Sequence, residues 1–146
     1  MRLLVSGVLI ALLFATNACG RDPEQDYCGA IKDHRKELNQ LADEDTQYGL
    51  IEHLPMLQDF AERAPSDIVD EWQTFLTAIE GLQAAVEETG HRPADFADAK
   101  MPADLSAEDR AAVARAADQL SSRETLAASE AIDQQVRDVC KVNLGR

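Results

Sequence analysis

The chain has 146 residues, 45% of them hydrophobic, which suits a single domain able to bury a real core. It carries 27 Asp and Glu against 14 Lys and Arg, for a formal net charge of −13. So acidic a surface repels the phosphates of DNA and RNA and anionic lipid surfaces, which argues against a nucleic-acid partner.

The first segment does not belong to the folded domain. Met1-Arg2 is a short charged start, Leu3 to Ala15 is apolar apart from Ser6 and Gly7, and Thr16-Asn17-Ala18 lead into Cys19-Gly20. A charged n-region, an apolar h-region and a small residue before the cut describe a secretory signal peptide. The apolar run falls short of the roughly 20 residues of a spanning helix. A cysteine directly after the cut reads as a lipoprotein signal: residues 1–18 are removed, and acyl chains on Cys19 hold the protein at the outer face of the cytoplasmic membrane. Lipoprotein signals usually place Leu three residues before the cysteine, where this chain has Thr16. Cleavage after Ala18 or Gly20, with release of a soluble secreted protein, therefore stands as the alternative. Residues 19–146 form one helical domain on either reading, with 19–22 as a short tether.

The cysteines are Cys19, Cys28 and Cys140. An odd count in an exported protein asks for an explanation. Acylation of Cys19 supplies one and leaves Cys28 and Cys140 to pair, in a compartment where a disulfide persists. Such a bond closes a loop of roughly 100 residues, for which chain entropy gives an upper expectation of about 4–5 kcal/mol. Two separate buried thiols are the other reading. No Cys-x-x-Cys spacing occurs and no histidine neighbours either cysteine, so neither is expected to bind metal.

Helical periodicity marks five segments along the mature chain. Asp22 as N-cap, Pro23 at the first helical position and Gln25 at the capping-box position open the first. Its apolar face is Tyr27, Cys28, Ile31, Leu38 and Leu41, with His34 on or beside it, and Asp43-Glu44-Asp45 end it. The second spans about 49–64 on Leu50, Ile51, Leu54, Leu57 and Phe60, with Pro55 kinking it or moving its start to His53. Ala64-Pro65-Ser66-Asp67 breaks the chain, and Pro65 or Ser66 is expected to start the third helix. That helix has the clearest stripe, including Ile68, Trp72, Phe75, Ile79 and Val86, and stops at Gly90. Periodicity fails from 91 to 105, which predicts a long surface loop and a candidate recognition element. The fourth helix starts at Ser106 and is lined mostly by alanine. Ser121-Ser122 separates it from the last, whose stripe is Leu126, Ala127, Ile132, Val136, Val139 and Cys140. No β-alternation intervenes, so the expected fold is an all-α bundle of four to five helices pinned by one disulfide.

The chemistry-bearing residues form no catalytic pattern. The carboxylates fall mostly on solvent faces. Glu88-x-x-His91 matches half of a di-iron motif, but Gly90 interrupts it and no second copy exists. His34 and Glu37 share a helix face without a third ligand, and His53 precedes the proline kink. There is no Gly-x-Ser-x-Gly elbow, and Ser66, Ser106 and Ser122 stand where helix N-caps are needed. Trp72 lies on a core stripe rather than in a stacking site. No catalytic residue, cofactor or metal ligand is expected.

The signal and its cysteine, Asp26-Tyr27-Cys28, the segment from Gly49 to Pro55, the run from Ala64 to Trp72 and the closing Val139-Cys140 together resemble the small, acidic, helical lipoproteins exported by actinobacteria. The resemblance covers nearly the whole mature chain. It implies an envelope protein without enzymatic activity, acylated at Cys19 and bridged between Cys28 and Cys140. Its partners are the membrane, through the acyl chains, and an unidentified envelope protein or small ligand. A secreted helical protein handling a metal or small ligand is the alternative.

Overall fold

The computed structural model describes residues 22–43 and 47–144. These fold into α1 (Pro23–Asp33), α2 (Arg35–Asp43), α3 (Gly49–Glu52), α4 (Leu54–Arg63), α5 (Val69–Glu88), α6 (Ala107–Leu120) and α7 (Arg123–Asp138). A 3-10 helix, Pro93–Ala99, lies between α5 and α6, and there is no strand among the described residues.

Seven α-helices replace the five periodic segments because two segments bend. At His34 the backbone leaves helical geometry (φ −100°, ψ 16°), separating α1 from α2, and the imidazole sits edge-on to Phe60 at 5.6 Å. At His53 the break follows from Pro55, which has no N–H to continue the hydrogen-bond ladder. The N-terminus of α1 is built as its sequence requires: the Asp22 carboxylate accepts from Glu24 N at 3.1 Å, with Pro23 in the first turn.

The start of α5 differs from expectation. Ala64 is extended (ψ 135°), as a residue before proline prefers, and Ile68 N then donates to Pro65 O at 3.1 Å in a separate turn. The helix begins only at Val69 with Ile68 as its cap residue, so Ser66 caps nothing. The other end agrees with the sequence: Gly90 takes φ +74°, the left-handed C′ conformation. α5 packs against α3, α4, α6 and α7. It buries Trp72, Ala78, Ile79, Leu82 and Val86.

Ser106 and Ser122 do cap. Ser106 Oγ accepts from Asp109 N at 3.0 Å and opens α6, and Ser122 Oγ accepts from Thr125 N at 3.2 Å and opens α7. The inward face of α7 is rotated from the sequence reading. Leu126 is 51% exposed and Ala127 also faces solvent, while Thr125, Ala128, Ile132, Gln135 and Val136 are buried. The cause is the α6–α7 turn, where Thr125 Oγ1 donates to Gln119 O at 3.0 Å and so draws Thr125 inward.

The irregular stretch 91–105 is pinned down rather than free-standing. Phe96 of the 3-10 helix is fully buried and stacks on Tyr48, ring centroids 5.0 Å apart, with His91 edge-on to it at 6.2 Å. Leu105 is buried as well. Arg92 donates from its backbone N and its guanidinium to Asp95, both at 2.9 Å, and these bonds hold the Asp95 carboxyl below the usual carboxylate range.

Candidate functional site

Cys28 and Cys140 are joined as a disulfide, Cα atoms 5.0 Å apart and 112 positions apart in sequence. The bond is buried, with Cys28 in α1 and Cys140 just past α7. It fastens the two ends of the described chain to each other. After it, Lys141 takes a left-handed turn (φ 57°) and Val142 N reaches back to Val136 O at 3.3 Å. That turn sends the C-terminal tail over the body of the protein, burying Val142 and placing Leu144 against the helices.

Between these elements lies a cleft of about 360 Å³. Its floor is aromatic and aliphatic: Trp72 and Phe75 from α5, Leu57 from α4, Ile132 and Val136 from α7. Leu38 and Leu41 of α2, Leu50 of α3 and Leu144 of the tail stand around it. Trp72 is only 3% exposed, held by an indole N–H that donates to Tyr27 OH at 3.1 Å. Phe75, Leu41, Leu50 and Leu144 are half-buried, so the cleft keeps apolar surface in contact with water. Such concave apolar surface with a few polar groups is the usual character of a small-molecule site.

The polar lining comes from one helix. Ser129, Glu130 and Asp133, all on α7, form one edge, and among the described residues no basic side chain lines the cleft. Ser129 Oγ donates to Leu126 O at 2.9 Å, and Asp133 is ion-paired with Arg137 one turn on. Among the described residues no histidine lines the cleft beside the Ser129 hydroxyl.

A second depression, between α1 and α4, is polar and occupied by its own charges. The Arg63 guanidinium grips both oxygens of Asp59 at 3.0 and 2.8 Å and reaches Asp26 at 3.0 Å. Those bonds hold the Asp59 carboxyl below its usual range. Arg63 therefore clamps α4 to α1.

The remaining histidines are dispersed. His91 reaches Thr89 O at 3.1 Å and Asp104 at 3.3 Å, in keeping with a C-terminal wrap of α5. Among the described residues no three His, Cys, Asp or Glu side chains gather as a metal site would. Nor is any helix among them long and apolar enough to cross a membrane. Cys19 and the signal segment lie outside the described residues. Sequence reasoning placed Trp72 and the cysteine pair but missed the cleft, whose walls come from α1, α2, α3, α4, α5, α7 and the tail.

Compared with known protein families, with curated proteins and with solved structures, the chain matches none.

Proposed function

We propose that this is an exported lipoprotein of the small, acidic, helical actinobacterial kind, without catalytic activity, that binds a small apolar molecule in the cleft on α5. In this reading α1–α2 and α3–α4 act as two bent rods beside α5, α6 and α7, a bundle of five. Acyl chains on Cys19 hold it at the outer face of the cytoplasmic membrane, and the short tether keeps the domain close to the bilayer. The observation that carries the reading is the cleft itself, about 360 Å³ with Trp72 and Phe75 in its floor. A fold that merely needed stability would gain by closing over half-buried Phe75, Leu41 and Leu50, since each buried apolar side chain contributes about 1.5–3 kcal/mol.

The test is mass spectrometry of protein recovered from its host. The denatured mass is expected to begin at Cys19 with acyl chains added, and two further thiols are expected to appear on reduction. The native mass is expected to include a small molecule that organic solvent releases. An unacylated protein found only in the medium would overturn the anchor. An empty native mass, with no apolar probe altering Trp72 fluorescence, would overturn the binding role.

A further inference from the structure

Among the described residues the charged groups of the cleft, Glu130 and Asp133, are both acidic, and none can neutralise an anion. We infer that the cleft selects an amphiphilic organic cation: an alkyl or aromatic body seated on Trp72 and Phe75, with an ammonium head at the Glu130–Asp133 edge. This rests on the cleft being a binding site and adds which chemical class it takes.

Three observations support the choice. First, the volume of about 360 Å³ lies near the lower end of small-molecule sites, so the occupant is one short chain or a small ring system rather than a peptide or a folded lipid. Second, Glu130 and Asp133 lie one helical turn apart on α7 and both line the cleft. Arg137 engages Asp133, while Glu130 is exposed and forms no ion pair, which leaves one uncompensated carboxylate at the edge. Third, among the described residues no Lys, Arg or His lines the cleft, and the whole chain stands at −13, so a carboxylate or phosphate head would meet repulsion both locally and at range. A fatty acid fits the walls but not the edge. An alkylammonium fits both.

The only tryptophan of the chain sits in the floor, so its emission reports occupancy without a label. The experiment titrates the disulfide-bonded mature protein with decylammonium, decanol and decanoate, all below their micelle concentrations. Decylammonium is expected to bind about tenfold more tightly than decanoate, with decanol between, as one or two partly exposed charge contacts imply. Glu130→Gln should shrink that ratio to about threefold and leave decanol unchanged. Phe75→Ala should weaken all three alike, with its unfolding midpoint recorded to show that the variant is folded. Equal binding of the three probes, or a ratio indifferent to Glu130→Gln, would overturn the cation selection while leaving the cleft a binding site. Binding that Phe75→Ala does not weaken would place it elsewhere and overturn the inference. If none of the probes binds, the ligand-binding role itself falls with it.

Discussion

Tyr27 and Trp72 show how much of this core depends on one hydrogen bond. Both rings are sealed from water, edge to face at 6.4 Å, and the indole N–H has the Tyr27 hydroxyl as its acceptor. Tyr27→Phe keeps the ring but leaves that donor buried and unpaired, a loss expected to lower stability by about 1–3 kcal/mol in urea unfolding. A change under about 0.5 kcal/mol would mean that the N–H finds another acceptor. The same hydroxyl gives the protein an alkaline limit. Burial is the main cause that pushes Tyr27 up to about 12, with the neighbouring Asp67 charge adding and the Trp72 bond opposing. The folded state thus holds a proton that the unfolded chain releases near pH 10. Its contribution is complete below about pH 10 and is lost as pH rises towards 12, some ~2–3 kcal/mol in all. Tyr48, raised by burial too, acts in the same direction. Stability measured between about pH 10 and pH 12 should therefore fall more steeply for the natural protein than for Tyr27→Phe. Parallel slopes would show that Tyr27 titrates normally.

At the scale of elements, the helix ends were the most legible features where a side chain supplies the cap locally. Asp22, Ser106 and Ser122 satisfy the N–H groups that begin α1, α6 and α7, and Gly90 ends α5. Ser66 failed because Pro65 had already committed the chain to a turn, and a cap needs the helix to start directly after it. The caps that exist differ in worth. Ser122 is part-buried and belongs to a chain of bonds through Thr125 to Gln119 O, whereas Ser106 is exposed. Ser122→Ala is expected to cost about 1–2 kcal/mol and Ser106→Ala about 0.5–1 kcal/mol, read as shifts of the denaturation midpoint. The reverse order would show that the buried Thr125 network contributes nothing beyond an ordinary cap. The same network explains why Leu126 was misplaced. Periodicity fixes which residues share a face of α7, but the turn before it decides which face turns inward.

For the whole molecule, the disulfide between Cys28 and Cys140 governs stability more than any single packed residue. It spans 112 positions and holds α1 against the end of α7. Cys140→Ser should lower oxidised stability by up to about 4–5 kcal/mol, and reductant should bring the natural protein down to the level of the variant while hardly moving the variant. Equal effects of the substitution in both conditions would mean that the bridge is not closed in solution.

The all-helical class, the cysteine pairing, the central position of Trp72 and most helix ends follow from the sequence alone, because each rests on neighbours within a turn or two or on a count of three cysteines. The break at His53 was legible from Pro55, whereas only the tertiary structure decided the bend at His34, the burial of Phe96 under Tyr48, the rotation of α7 and the cleft. Those features depend on how far apart separate helices come to rest once their side chains interlock. A cleft is the volume that packing leaves over, so residues as distant in sequence as Ile31 and Leu144 line it together and no local pattern marks it.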